Sequence, residues 1–304
     1  MPAVWSVSTP ALRRFVAALA ALLAAAAAHA QPADYPALRV TAPGGATSLL
    51  IGSMHQGDAR VPLVDPSLLD AARRLVIEGD PALPQPTPWP DLPPPDPGPP
   101  ILMGTVLDER DVAVLRARVA CRAPSDPAVL AFALRYALAQ PLRIGSTMAT
   151  LCPAPGRPGL EQWVMDGAAE RAVPVEPLES VADPRAQRGA LPDRIFLSVV
   201  HRALSPDHER DFAELADALN AGDYDRVCGL VREGFATAED ADLFVKRMLI
   251  ERHARWLPKL EQALQEGRAV VVVGAAHLCG PIGLPALLRE RGYRLDRVRV
   301  PATR

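Results

Sequence analysis

The sequence predicts an α/β fold, a mixed and mostly parallel sheet flanked by helices, and three observations carry that reading. Ala269 to Val273 is an apolar run containing four valines, which reads as a strand buried on both faces, as strands of covered parallel sheets are. Shorter apolar runs at Ser48 to Ile51 and Leu75 to Ile77 are joined by a segment of helical spacing, in the manner of a βαβ unit. Two of these strands end in the same spacing, Gly52-Ser-Met-His55 and Gly274-Ala-Ala-His277. That spacing sets a histidine on the loop at the strand's C-terminal edge, where open α/β sheets bind their ligands.

Residues 1–30 stand apart from the fold. Arg13-Arg14, the apolar run Phe15 to Ala28 and the small-x-small triplet Ala28-His29-Ala30 make an export signal cut after Ala30. The run is shorter than the ~20 residues that span a bilayer. Val16 stands where a twin-arginine signal prefers Phe or Leu, so the general secretory route is expected. Residues 31–304 then form one domain in the periplasm or outside the cell, with no membrane insertion after cleavage. The formal charge of −2 shows no basic excess, which argues against a nucleic-acid partner. Cys121, Cys152, Cys228 and Cys279 could form up to two disulfides, in three possible pairings. They include no C-x-x-C, which argues against a structural zinc site.

Along the chain, Leu38 to Val40 and Ser48 to Ile51 read as strands around the turn Pro43-Gly-Gly45. Asp65-Pro66 supplies an N-cap and an N1 proline for a helix over Ser67 to Arg74. The strand Leu75 to Ile77 then delivers Glu78 to the edge that carries His55. Residues 81–100 hold eleven prolines and can be neither helix nor inner strand. They read as a long surface loop around Trp89, either an insertion or a lid over the site. From Asp108 the spacing is helical, with Val112, Leu115, Val119, Val129, Phe132, Ala133 and Tyr136 on the apolar side. Further helices are expected over Gly159 to Arg171, over Asp193 to Leu219 with a break near Ser205-Pro206, and over Glu239 to Gln265. A short strand, Val173 to Val175, leads to Leu178-Glu179. Ala269 to Val273 and Leu295 to Val300 make the last strand pair, with a helix from Leu284 to Arg291 between them.

Two histidines and a carboxylate at strand ends form a metal-ligand set. His55, His277 and Glu78 would suit Zn, Mn, Co or Fe as a divalent ion and leave positions open, so that water can be activated toward a carbonyl. A serine hydrolase lacks its G-x-S-x-G here, and a zincin its H-E-x-x-H.

Gly52-x-x-His55, Val76-Ile77-Glu78 and the block from Val270 through Gly274-Ala-Ala-His277 to Gly292-Tyr293 resemble the TraB/GumN family, which includes the Tiki proteases. Pro158-Gly159-Leu-Glu161, Leu178-Glu179 and Glu251-Arg252-His253-x-x-Trp256 match as well, so the resemblance spans nearly all of residues 31–304. It implies a fold like that of the haem-binding ChaN and erythromycin-esterase-like proteins. Through the Tiki branch it implies a divalent-metal-dependent protease using the two motif histidines and an acid. Arg252 matches the arginine of the family's Arg-Asn pair, whereas His253 replaces the asparagine. Arg252 would hold a substrate carboxylate or an oxyanion, or else form a structural ion pair. Glu179 would orient a ligand or lie at the surface, and Cys279 would be an extra ligand or a disulfide partner. His201 and His208 match no motif and read as surface residues.

These readings lead to a metal-dependent hydrolase, a peptidase acting on peptides or proteins, with Glu78 as ligand or general base. The alternative is a non-catalytic metal- or haem-binding accessory protein. Support of polysaccharide export, which rests on the family name alone, ranks third.

Overall fold

The computed structural model of the chain describes residues 32–95, 98–122, 126–152 and 156–303. The expected export signal, residues 1–30, and the expected new N-terminus, Gln31, lie outside the described residues.

β1 (Pro32–Thr41) and β2 (Thr47–Ser53) form an antiparallel hairpin. Its turn uses Gly45 at φ 87, a left-handed conformation open to glycine at little cost. β3 (Leu63–Val64), β4 (Arg74–Ile77), β5 (Val175–Pro177), β6 (Ala269–Gly274) and β7 (Arg294–Thr303) complete a seven-stranded sheet of order β3-β7-β1-β2-β6-β4-β5. The half built from β2, β6, β4 and β5 is parallel, and the half built from β1, β7 and β3 is antiparallel. All six residues of β6 are buried, as its unbroken apolar run requires of a central parallel strand.

Helices cover this sheet and extend beyond it. α1 (Glu109–Ala120), α2 (Pro127–Leu138), α3 (Leu142–Gly145) and α4 (Leu160–Glu170) lie between β4 and β5 in sequence. After β5 come α5 (Ala182–Gly189), α6 (Asp193–Leu204), α7 (His208–Ala221), α8 (Tyr224–Glu233) and α9 (Ala238–Val245). A π-helical turn, Lys246–Ile250, joins α9 to α10 (Glu251–Glu266), and α11 (Leu284–Glu290) precedes β7. One apolar core surrounds the sheet, and a second lies among the helices, with Leu115, Leu142, Ile195 and Phe196 at its centre.

The α/β class with a mixed sheet is as expected, and several details differ from the expectation. The helix expected over Ser67 to Arg74 is a single 3₁₀ turn, Pro66–Leu69, with Asp65 accepting from the Ser67 N–H. The chain leaves it because the Arg73 N–H is committed to the Arg268 carbonyl, which starts β4 against β6. β6 lies between β2 and β4, so the two strands of the expected βαβ unit are not neighbours. β6 and β7 do not pair either; β1 and β2 separate them. In α2 the buried side chains are Leu134 and Ala137, whereas Val129, Phe132 and Tyr136 point outward. The helix is apolar on nearly every side, so spacing alone could not tell which face packs.

The cysteines pair as Cys121–Cys152 and Cys228–Cys279. The proline-rich segment is anchored through Trp89, whose N–H donates to Asp183 and whose ring stacks on Arg255. None of its described residues lines the cavity at the sheet edge, which leaves the lid reading without support. Among the described residues, no helix is long and apolar enough to cross a membrane.

Candidate functional site

The strand order places the expected residues side by side. His55 follows β2, His277 lies in the 3₁₀ turn Ala275–Leu278 after β6, Glu78 follows β4, and Glu179 follows β5. Four adjacent parallel strands thus deliver four functional side chains to one edge.

The two motif glycines serve space rather than an unusual backbone angle, since neither adopts a positive φ. A Cβ on Gly52 would lie 2.8 Å from the ring of Tyr224 and 2.9 Å from Leu278. A Cβ on Gly274 would lie 3.1 Å from Glu78 Oε1, 3.3 Å from His55 Nε2 and 3.6 Å from His277 Cδ2. Bare backbone at Gly274 therefore keeps open the space on which the three side chains converge.

The inner end of the site is built on α10, whose buried face carries Arg252, His253 and Trp256. Arg252 Nη2 donates to Glu78 Oε2 and to Glu179 Oε1, each at 2.5 Å, and its Nε donates to both oxygens of Glu179. Trp256 Nε1 donates to Glu179 Oε2 at 2.9 Å, and its ring lies 4.5 Å from the Arg252 guanidinium. The Gly274 N–H donates to Glu78 Oε1 at 2.6 Å.

These bonds fix the protons of the two buried histidines. Arg252 Nη1 lies 3.1 Å from His277 Nε2, and a guanidinium can only donate, so Nε2 is the acceptor. His277 then carries its proton on Nδ1 and donates to His253 Nε2 at 2.8 Å. His253 in turn carries its proton on Nδ1 and donates to the Ile282 carbonyl at 2.9 Å. The chain is consistent only with both rings neutral. Burial pushes His253 down to about 4 and His277 well below its ordinary value.

The carboxylates are held unequally. Burial alone would raise Glu78, but the charges of Arg252 and His55 and the Gly274 N–H hold its carboxyl well below the usual range. Burial wins at Glu179, which is raised in spite of Arg252 and Trp256. Arg252 is raised as well, since Glu78 and Glu179 more than offset its burial.

The mouth of the site is different. The His55 side chain is 66 % exposed, and its Nδ1 lies 2.9 Å from Glu161 Oε2. Ser53 Oγ donates to Glu161 Oε1 at 2.9 Å. Glu161 sits in the first turn of α4, where the helix N-terminus favours a negative charge. The hydrogen bond to Glu161, more than any other contact, pushes His55 up to about 9.

One ligand atom from each of His55, Glu78 and Glu161 lies within 4.8 Å of the other two, so these residues could hold a metal ion. Ligand bonds of ~2.0–2.2 Å hold ligand atoms closer together than that limit, so the three side chains would draw in around an ion. The charges fit a divalent cation. Arg252 balances one of the three carboxylates Glu78, Glu179 and Glu161, and a divalent ion taking the place of the His55 proton balances the other two. One imidazole with carboxylates is a borderline-to-hard donor set, compatible with Zn, Mn, Co or Fe.

Of the residues expected from sequence, the structure brings His55, Glu78, His277 and Arg252 together. His277 is not in the three-residue group, because its Nε2 faces Arg252 Nη1 and lies 3.5 Å from Glu78 Oε1. Glu161 takes that place. In the sequence Glu161 stands out only as part of the segment Pro158-Gly159-Leu-Glu161, and an acid just after the helix-opening Gly159 is the signal that marks it. Glu179 is buried against Arg252 rather than at the surface, and Cys279 is in a disulfide rather than free to bind a metal.

The family model for the TraB/PrgY/gumN family matches residues 37–297, and the chain belongs to that family. Comparison with curated proteins and with solved structures returned no match.

Proposed function

We propose that this chain is a divalent-metal-dependent hydrolase of peptide bonds that works outside the cytoplasm. The observation that carries this reading is the convergence of His55, Glu78 and Glu161 at the edge of the parallel strands, where His55 also lines a cavity. His55 and Glu78 would hold the ion, and Glu161 would either complete the set or orient His55 through Nδ1. A divalent ion there supplies Lewis acidity toward a carbonyl and lowers the pKa of water.

The chain's own groups divide the remaining work. Glu78 is held ionised so firmly that it is a weak base, which favours a ligand role over general-base catalysis. Arg252 keeps Glu78 in place and positive charge beside the reacting carbonyl, and Glu179 and Trp256 keep Arg252 in place. Neutral His277 lines the cavity beside them without adding a charge. The apolar run at residues 15–28 and the two disulfides support an oxidising, extracytoplasmic location.

The test is hydrolysis of a mixed peptide library by purified protein stripped of metal and reloaded with Mn, Co, Zn or Fe. Cleavage that appears on loading, and vanishes in His55→Ala and Glu78→Gln, is the expected result. One ion bound with no cleavage of any peptide would instead favour a non-catalytic metal-binding role.

A further inference from the structure

Beyond the metal-binding edge lies a cavity of about 450 Å³, within the range of roughly 300–1,000 Å³ common for small-molecule sites. His55, Arg252, Gly274 and His277 form its polar end. Most of the remaining wall is apolar, with Phe212, Leu215, Val227, Val231, Phe244 and Met248 contributed by helices and the π-helical turn.

One further charged side chain lines this cavity, Arg188 at the end of α5. Its Nε and Nη2 donate to the Arg143 carbonyl, Nη2 donates to Ser146 Oγ at 2.6 Å, and the guanidinium lies 4.7 Å from the Phe196 ring. These partners hold the group in place but carry no negative charge. The nearby carboxylate of Asp193 is engaged by Arg143 at 2.9 Å, and among the described residues no acid forms an ion pair with Arg188. Burial alone perturbs this guanidinium, and it does so downward. A partly buried cation without a counter-charge is costly, and a ligand anion would offset that cost. Arg252 cannot serve the same purpose, since Glu78 and Glu179 already occupy it.

An apolar chamber with the metal ligand His55 at one side and an unbalanced guanidinium in its wall has the chemistry to recognise an apolar amino acid bearing a free carboxylate. We propose that Arg188 binds the C-terminal carboxylate of a peptide whose last side chain is large and apolar, which makes the chain a carboxypeptidase. This rests on the hydrolase reading above. In the reaction, water adds to the carbonyl carbon before the last residue, and the C–N bond breaks. The shortened peptide leaves with the new carboxylate, and the released amino acid leaves with the proton on its amine.

Binding tests the subsite without turnover. Titrating the metal-free protein (residues 31–304) with N-acetyl-phenylalanine, its amide and N-acetyl-alanine should show about tenfold or greater preference for the acid over the amide. Phenylalanine should likewise exceed alanine by about tenfold or more. Arg188→Gln should abolish the acid preference and keep the phenylalanine preference, with Arg188→Lys between. Should Arg188→Gln fail to fold, the acid–amide comparison in wild type and in Arg188→Lys decides alone. Equal affinity for acid and amide in wild type, or an acid preference that survives in folded Arg188→Gln, would overturn the proposal. So would decanoate binding more tightly than N-acetyl-phenylalanine, because the site would then be one for alkyl acids. Two further outcomes separate this proposal from the hydrolase reading. Predicted binding without release of phenylalanine by loaded protein would sink the hydrolase and the carboxypeptidase with it, and leave the carboxylate subsite at Arg188 standing. Cleavage of amidated peptides as fast as free acids would sink the carboxypeptidase alone.

Discussion

At the inner end of the site, Arg252, Glu78, Glu179, His253 and His277 are each at most 9 % exposed, and each is held by at least one neighbour in the same cluster. At the mouth, the His55 side chain is 66 % exposed and leans on a single carboxylate, Glu161. The two ends respond differently to the loss of a partner. Inside, a lost partner leaves a buried charge with nothing to compensate it, so the inner end is where stability is concentrated. At the mouth, solvent can replace a lost partner, so the exchangeable ligand belongs there. The difference separates residues that position from residues that bind, with Glu78 at the junction, held by Arg252 and turned to the ion.

The sharpest way to break this comparison is Arg252→Ala. It leaves two buried carboxylates facing each other and should cost about 3–5 kcal/mol of stability in denaturant unfolding. His55→Ala should cost clearly less in the same measurement, because solvent screens the exposed His55–Glu161 pair. Equal losses at the two sites would erase the distinction between them.

Removing the partner at the mouth should show the opposite pattern. Glu161→Gln should change stability less than Arg252→Ala but weaken metal affinity by about 10–100-fold above pH ~9, where the His55 proton no longer competes, as loss of a carboxylate that orients or supplements a histidine ligand does. The same variant should bring His55 down from about 9 toward its ordinary 6.5, which histidine NMR titration reads directly.

The pH dependence of metal binding sharpens the same point. The pKa of His55 is raised, so its ring is protonated below about 9, and an incoming ion must displace that proton. Apparent affinity should therefore rise about tenfold per pH unit up to pH ~9 and level off above it. In Glu161→Gln the plateau should start near 6.5 instead. His253 and His277, already neutral at these pH values, should contribute nothing to the slope.

At His253 the expected effect depends on the replacement. Its Nε2 accepts from His277, so Asn, which can also accept, should cost less than 1 kcal/mol, whereas Leu strands a buried N–H and should cost about 1–3 kcal/mol. Denaturant unfolding of the two variants checks the order.

Much of this arrangement was legible in the sequence. The repeated G-x-x-H and the unbroken apolar run of β6 placed His55 and His277 at a sheet edge, and Glu78 followed from the strand before it. Spacing could not give the order β2-β6-β4, because strand neighbours are chosen by long-range pairing rather than local pattern. The strands of the expected βαβ unit are parallel but flank β6, and the last two strands of the chain do not pair, for that reason. Glu161 was missed as a ligand because it reaches the site from a helix, not from a strand end. The inward commitment of His277 depends on Arg252 and His253, which sequence reading placed on a helix but could not orient. Phe132 and Tyr136 misled because an all-apolar helix does not announce its buried side.

The central claim is that His55 at the mouth and Glu78 at the inner end together hold one exchangeable divalent ion, while the other inner residues only shape the site. Metal titration followed by calorimetry, on stripped wild type, His55→Ala, Glu78→Gln and His253→Asn, tests it most directly. The account predicts one ion per chain in wild type and in His253→Asn, with no measurable binding in His55→Ala and sharply weakened binding in Glu78→Gln. Wild-type affinity retained in both His55→Ala and Glu78→Gln would contradict it.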